Sequence, residues 1–540
     1  MELERFLNKH LPSESRRMKV STARCLLLLL RNVLISREPI YGVGEWAELY
    51  APELLGLSPR DFEHLNDDRI GRCLDRLFKA NTPDLVLDVV RHVVKEFDVS
   101  LEELHNDSTT VSFYGAYEDA AEEQRRGKQT RLAVTLGHSK DRRPDLKQLL
   151  YILTVSEDGG VPIYFKAASG NVTDDTTHRE TWNLLRQLVG RSDFLYVADC
   201  KLATRDNMQY IHNQGGRFIT ILPRTRREDT QFRQLLLTDF DAVAWEHVFD
   251  VVDDDQQLVE RLRVCKEPTL SSEGFRLLWF HSTKKAQRDA RFRSRSIDRV
   301  SEELTQLQNR LQSSKTRFRE RAKVESAVDE ILSAHDAARW FTVHIREIEQ
   351  EHFKQSTPGR PGKHTRYIRQ TRSRYRLSWT LNQTEIEHDQ ATDGVFPLIT
   401  NQNDMTAEQV LRAYKRQPLI EKRFSQFKSD FEVAPVYLKE VSRIQSLLCV
   451  YFFVLMVQTL LERELRSELS HSDYDSLPLY PEQRKCHAPT TRRILDIFEP
   501  IQRHRLSGPD EPPVTFVTQL TPLQAQIVRW FGFSPTQYGR

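Results

Sequence analysis

A chain of 540 residues exceeds what one core supports, about 250–300 residues, so about two to four domains are expected. Apolar residues at 39% and aromatics at 9% exclude global disorder. With 79 Lys plus Arg against 77 Asp plus Glu, the net charge of +2 excludes a polycation, so any nucleic-acid surface has to come from local clustering.

The first hundred residues read as helical. Asn66 or Asp67 is placed to cap a helix in which Ile70, Cys73, Leu74, Leu77 and Phe78 recur at i, i+3, i+4, i+7 and i+8. Such a helical unit serves DNA binding or dimerisation, and the pattern does not choose between them. From about residue 101 the period falls to two, and in Asp107–Tyr114 the residues Asp107, Thr109, Val111 and Phe113 share a face. Strands are predicted at Arg131–Gly137, Leu149–Val155 and Val161–Lys166, the last two joined by the turn Glu157-Asp158-Gly159-Gly160. Helix Thr176–Val189, the apolar strand Phe194–Asp199, helix Leu202–His212 and strand Arg217–Leu222 follow. Antiparallel hairpins followed by alternating helix and strand predict an α/β fold with a mixed sheet.

Residues 226–390 read as a separate unit, with strands at Phe275–Phe280, Trp340–Ile345 and Tyr375–Leu381 around a charged helix, Ile297–Lys323, that lacks coiled-coil regularity. Within it, Phe353–Thr380 carries eight Lys or Arg and no acid. Arg360, Lys363, Arg366, Arg369, Arg372, Arg374 and Arg376 are suited to neutralising phosphates. Tyr367, Tyr375 and Trp379 are able to stack on bases, but as strand residues they are read as packing. Strand Val395–Thr400 returns to the core pattern, and Thr406 with Gln409 forms a capping box for a helix ending near Arg416. Ile444–Leu461 is uncharged over 18 residues. Its Gln445, Ser446, Gln458 and Thr459 favour a buried core helix over a membrane span. The tail from 471 holds nine of the 23 prolines and one late helix, Leu523–Phe531.

Six cysteines, Cys25, Cys73, Cys200, Cys265, Cys449 and Cys486, lie at least 37 residues apart with no CxxC motif. That spacing argues against a disulfide framework and a structural zinc site, and for a reducing compartment. Three carboxylates stand out instead. Asp107 opens the first core strand, Asp199 ends a buried one, and Glu421 sits on a helix beside the apolar stripe Ile420, Phe424, Phe427 and Phe431. Oxygen donors of this kind suit Mg²⁺ or Mn²⁺, and phosphoryl transfer asks chiefly for positioning and charge neutralisation. The bland alternative is a turn-capping Asp and a solvated helix Glu.

The string from Tyr414 through Glu421 to Lys428 (YKRQPLIEKRFSQFK) resembles the signature of bacterial insertion-sequence transposases of the DDE class, insertion-sequence-four superfamily. That signature is a Tyr, an Arg three residues on, a Glu four further and a Lys seven beyond. Tyr414, Glu421 and Lys428 keep the spacing. Gln417 takes the Arg place, with Arg416 beside it, and Pro418 is expected to kink the helix. HNDSTTVSFYG around Asp107, LGHSKDRRPDLKQ at 136–148, GNVTDDT at 170–176, YVADCKLATRDN at 196–207, FITILPRTR at 218–226 and DGVFPLITN at 393–401 resemble further blocks of the family, as LNDDRIGRCLDRLF at 65–78 does of a long subgroup.

The resemblance implies a ribonuclease-H-like mixed-sheet core interrupted by a β-rich and helical insertion between Asp199 and Glu421, behind a helical N-terminal domain. The corresponding divisions are 1–98 for the helical N-terminal domain, 99–225 and 391–470 for the core, 226–390 for the insertion and 471–540 for the tail. It further implies Asp107, Asp199 and Glu421 as catalytic ligands of Mg²⁺ or Mn²⁺. Tyr414, Arg416 and Lys428 would be DNA contacts beside Arg360, Lys363, Arg366, Arg369 and Arg372. The implied partners are duplex DNA, at element terminal inverted repeats and at the target, and further copies of the chain. The implied location is the cytoplasm, on the nucleoid when DNA-bound. His138, Lys140, Arg142 and Arg143 are expected near the scissile strand. His178 and His212 are read as structural, and Cys200 is not read as a nucleophile. A nuclease without integration and a non-catalytic DNA-binding derivative remain alternative readings.

Overall fold

The computed structural model describes residues 1–15, 18–115, 117, 123–124, 130–141, 143–173, 176–238, 243–253, 256–313, 316–430, 438–480, 482, 484–506 and 514–538. Arg142, Asp174, Asp175 and Phe431, all members of the motifs above, lie outside the described residues. The chain forms two compact units. The first comprises Met1–Thr220, Thr400–Gln402 and Gln409–Arg540, and the second Ile221–Ile399 and Asn403–Glu408.

Helices open the first unit: α1 (Leu3–His10), α2 (Thr22–Ile35), α3 (Val43–Glu48), α4 (Asp67–Lys79) and α5 (Thr82–Glu96). Asn66 caps α4 by accepting from the Arg69 amide at 2.8 Å, and the predicted stripe Ile70, Cys73, Leu74, Leu77 and Phe78 is buried. Next come β1 (Glu103–Phe113), β2 (Glu123–Gln124), β3 (Thr130–Arg131), β4 (Lys147–Ser156) and β5 (Pro162–Ser169). Then α6 (His178–Val189), β6 (Leu195–Ala198), α7 (Arg205–Asn213) and β7 (Arg217–Ile221) alternate.

These strands run in the order β5-β4-β1-β6-β7. The pairs β5–β4 and β4–β1 are antiparallel, while β1–β6 and β6–β7 are parallel. Gly159 and Gly160 turn the β4–β5 hairpin at φ +73° and +69°, a left-handed region that glycine enters without strain. The continuous strand expected at Arg131–Gly137 does not form. Beyond β3 the backbone makes a single bridge, Thr135 to Gln148, and Gly137 crosses so close to Gly170 that a Cβ there would lie 1.8 Å from the Gly170 carbonyl oxygen. Close crossing of two backbones replaces ladder pairing.

The second unit contains α8 (Arg227–Thr238), β8 (Trp245–Val252), β9 (Leu258–Cys265), β10 (Thr269–Leu270) and β11 (Arg276–Ser282). After these come α9 (Thr283–Gln312), α10 (Arg321–Ala334), β12 (Phe341–Gln355), β13 (Tyr367–Leu381), α11 (Gln383–Thr392) and β14 (Val395–Thr400). The predicted helix Ile297–Lys323 is two elements, because α9 stops at Gln312 and α10 starts at Arg321. Val300, Leu304, Leu307 and Leu311 of α9 pack with Val324, Val328 and Leu332 of α10. The β12–β13 pair is a long antiparallel ribbon in unbroken register, Phe341 opposite Leu381 through Gln355 opposite Tyr367.

Back in the first unit, α12 (Ala407–Tyr414) and α13 (Pro418–Ser425) are separate helices broken at 415–417, with Pro418 at the first helical position. A π-helical turn, Gln426–Asp430, follows. Helix α14 (Val441–His471) is long and apolar enough to cross a membrane, yet 83% of its most apolar window is buried inside the protein. It packs on α2, α4 and β5, and its Ser446 hydroxyl donates to the Leu74 carbonyl at 2.8 Å. Last are α15 (Thr491–Phe498), the hairpin β15 (Arg503–Leu506) and β16 (Val514–Val517), α16 (Pro522–Trp530) and α17 (Pro535–Tyr538).

Candidate active site

The parallel register of β1 and β6 pairs Glu103 with Leu195 through to Asn106 with Ala198. One residue further on each chain stand Asp107 and Asp199, so the end of the ladder sets these two carboxylates side by side, on strands about 4.8 Å apart. Burial pushes the Asp107 carboxyl up to about 6; Lys140 opposes that push and the charge of Asp199 adds to it. Lys140 Nζ donates to the Ser108 carbonyl and hydroxyl, both at 2.7 Å, and reaches Asp107 Oδ1 at 3.4 Å. Asp199 Oδ1 accepts from the Lys201 amide at 3.0 Å, while its carbonyl accepts from the Thr220 hydroxyl at 2.6 Å. That second bond ties the Asp199 backbone to β7.

Tyr414, at the end of α12, is half-buried. Burial raises its hydroxyl well above the usual range, and Asp199, Cys200, Glu421 and Asp107 push it in the same direction. Both strand carboxylates and Glu421 therefore act on this one phenol. Glu421 itself is exposed on the first turn of α13, whose Ile420 and Phe424 are buried. Among the described residues no group of three or more His, Cys, Asp or Glu is arranged to hold a metal ion, so Asp107 and Asp199 are neighbours while Glu421 does not close on them as a ready-made ligand set. The donor chemistry nonetheless fits a hard divalent cation: two carboxylates, Asp107 and Asp199, stand side by side and offer oxygen ligands only.

Gln417, at the turn between α12 and α13, is buried. Its Oε1 lies 3.0 Å from His105 Nδ1, and its amide nitrogen points at the Asn106 carbonyl at 3.5 Å. His105 Nε2 is 2.8 Å from Glu103 Oε1, and Arg416 Nη1 is 2.7 Å from Glu103 Oε2. The guanidinium of Arg416 is thus held by Glu103. Burial alone would raise the Glu103 carboxyl, but His105 and Arg416 together keep it below the usual range. Lys428, on the π-helical turn, donates to Asp141 Oδ1 at 2.5 Å, and Asp141 also accepts from Thr110 of β1 at 3.4 Å. Behind this helix, Glu462 has no exposed side-chain surface. It accepts from Arg423 at 3.1 Å, Gln426 at 3.0 Å, and Lys422 and Arg466 at 3.3 Å each.

Sequence reasoning missed Glu103, His105, Asp141 and Glu462. The visible signal was Glu103 and His105 as polar residues at the head of an otherwise core strand. Cys200 is a poor nucleophile, since burial and Asp199 push its thiol up. His178 is buried with Nδ1 3.0 Å from the Tyr196 hydroxyl, and His212 Nδ1 lies 3.2 Å from the Asn401 amide. His138 is exposed, its carbonyl accepting from Gln148, and Arg143 is bound to Asp145 at 2.8 Å.

In the second unit, Arg360, Lys363, Arg366, Arg369 and Arg372 are exposed, and Arg369 is paired with Glu351. Tyr375 is buried and Trp379 packs against the α9–α10 core, as the packing reading expected. Tyr367, 52% exposed, does not pack there.

One family model matches residues 1–91, and its description is "Domain of unknown function (DUF4277)". No curated protein matches the chain. Among solved structures, a piggyBac transposase synaptic complex with hairpin DNA aligns over 85% of this chain and 71% of that one, at 7% identity and a TM-score of 0.33. The Mos1 mariner paired end complex with Mn aligns over 39% of this chain and 61% of that one, at 10% identity and a TM-score of 0.15. Neither alignment is close enough to establish a shared fold.

Proposed function

We propose that the chain is a DDE transposase that cuts DNA at the ends of an insertion element and joins them to target DNA. The observation that carries this reading is the β1–β6 register, which makes neighbours of Asp107 and Asp199, 92 residues apart in sequence, with Tyr414 in the field of both. The strand order β5-β4-β1-β6-β7, three antiparallel strands followed by two parallel ones, supports a ribonuclease-H-like core.

In this reading Asp107, Asp199 and Glu421 hold Mg²⁺ or Mn²⁺, which when bound neutralises charge developing on the phosphodiester oxygens. Tyr414 donates a hydrogen bond to a backbone phosphate, and the raised pKa keeps its proton in place. Lys428 exchanges Asp141 for phosphate, a charge-for-charge swap. Arg416, held by Glu103, positions the α12–α13 turn. Arg360, Lys363, Arg366 and Arg372 supply further phosphate contacts. Water attacks phosphorus at the element end and the 3′ oxygen leaves as a hydroxyl. That hydroxyl then attacks a target phosphodiester, displacing the target's own 3′ oxygen.

A second reading, a DNA-binding protein that does not cut, is favoured by the exposed Glu421 standing outside the Asp pair. Both are tested with a plasmid carrying the gene's flanking DNA, incubated with the full chain and Mg²⁺. Cuts at the flank boundaries that vanish in Asp199→Asn and Glu421→Gln, together with joining of the cut ends to a second plasmid, establish the transposase, and cuts without joining select a nuclease that does not integrate. Uncut plasmid despite specific end binding selects the second reading.

A further inference from the structure

The β12–β13 ribbon has two chemically different faces. Its register pairs residues whose numbers share parity, and side chains alternate across a strand, so even-numbered residues of both strands lie on one face and odd-numbered ones on the other. Glu347, Glu349 and Glu351 are all odd-numbered, and so are Phe353, Tyr367, Tyr375 and Trp379. Even-numbered positions hold Arg346, Lys354, Arg372, Arg374 and Arg376, with no acid and no Phe, Tyr or Trp. A basic run of the sequence thus resolves into a face that carries cations and no acid, backed by one that carries both signs.

Fifteen residues per strand make a ribbon about 50 Å long. Its base is anchored by the odd face, where Tyr375 and Leu377 are buried against α9 and α10. Arg374 reaches round to the Gln312 carbonyl at 3.0 Å, and on the odd face Arg369 is taken by Glu351. Arg346, Lys354, Arg372 and Arg376 are exposed and form no ion pair among the described residues. Arg346 sits directly opposite Arg376, a like-charge pair that weakens the isolated ribbon. A polyanion removes that repulsion.

The geometry points to a surface for the backbone of duplex DNA on the even face, with Arg346, Lys354, Arg372 and Arg376 on phosphates and Arg369 excluded. This deepens the transposase reading and rests on it for the identity of the ligand. Single-stranded nucleic acid is disfavoured because stacking is strongest on large aromatic rings, and every Phe, Tyr and Trp of the ribbon lies on the other face. A protein partner is disfavoured because interface cores are rich in aromatics and poor in unpaired charge. A two-stranded ribbon also matches the width of the major groove, about 12 Å.

The test measures binding of the full chain to a labelled duplex from the gene's flank, in EDTA, as a function of salt. Replacing Arg346, Arg372 and Arg376 together with Gln is expected to lower the log–log salt slope by about three, one per phosphate contact. Their replacement with Lys is expected to keep the slope, and Arg369→Gln to leave it unchanged. A melting temperature of the Gln triple no lower than that of the Lys triple shows that folding is intact. An unchanged slope in the Gln triple, with wild-type binding normal, overturns the ribbon surface and leaves the transposase reading standing. Tighter wild-type binding to single strands, lost in the Gln triple, also overturns the duplex assignment. Absence of both salt-dependent binding and cleavage in the wild type overturns the transposase reading itself.

Discussion

Gln417 Oε1 stands 3.0 Å from His105 Nδ1 across 312 residues of sequence, joining the α12–α13 turn to the strand that carries Asp107. Both ring nitrogens of His105 have partners, the second being Glu103 at 2.8 Å, and the imidazole is fully buried. Gln417 and His105 therefore brace the α12–α13 turn against β1.

Gln417→Ala leaves a buried ring nitrogen unpaired, at a cost of about 1–3 kcal/mol. Urea unfolding of Gln417→Ala, His105→Ala and the double variant should show a coupling energy of about 0.5 kcal/mol or more. Strictly additive losses would refute the link. Gln417→Arg is expected to destabilise, because Arg416 already neutralises Glu103 and a second guanidinium would be buried without a partner.

Asp107 titrates near 6 in the folded chain against 3.8 for an ordinary aspartate, so the folded state binds its proton more tightly. Its contribution to stability is fully present below pH 3.8 and is lost as pH rises through about 6. In metal-free buffer Asp107→Asn should therefore be more stable than wild type at pH 8, by up to about 3 kcal/mol, with the difference closing below pH 4. Thermal melts across that range check it. Adding Mn²⁺ should raise the melting temperature of wild type and not of Asp107→Asn.

Glu462 is the buried anion on which Arg423, Lys422 and Arg466 converge. Burial would raise its carboxyl, and those three cations outweigh burial and hold it low. A depressed carboxylate stabilises above the unfolded value of 4.5, and that stability is lost as pH falls through the lower folded value. Glu462→Ala strands three cations and should cost about 3–5 kcal/mol. Because it frees α13 and the π-helical turn, cleavage should fall even where the chain remains folded. Circular dichroism melts combined with the plasmid assay separate the two effects.

Gly170 has no room for a side chain, since a Cβ would lie 2.1 Å from the Gln148 carbonyl oxygen and 2.6 Å from that of Thr135. Gly170→Ala must push backbone aside and should destabilise by about 1–3 kcal/mol. Gly190→Ala, at φ +79° with nothing within 4 Å, strains the backbone without a clash and serves as the comparison. Equal melting temperatures for Gly170→Ala and wild type would show that the crossing is not rigid.

Local pattern was enough for much of the chain. Alternation and turn residues placed β1, β4 and β5 within a few residues, and the 3.6 period with Asn66 placed α4. Pro418 foretold the break between α12 and α13, because a ring without an N–H fits only a first helical turn. Each of these depends on residues a few positions apart. The strand expected at Arg131–Gly137 failed for the opposite reason: its fate depends on Gly170, which sequence spacing does not bring near. By itself the sequence determined α4, most strands of the first unit, the apolar α14 and the three candidate carboxylates. Tertiary structure alone decided that Asp107 and Asp199 are neighbours, that Gln417 holds His105, that Glu462 is neutralised and that Arg346, Lys354, Arg372 and Arg376 share one face of the ribbon. Strand register and cross-chain polar pairing are set by contacts between distant segments, and those form only when the whole core packs.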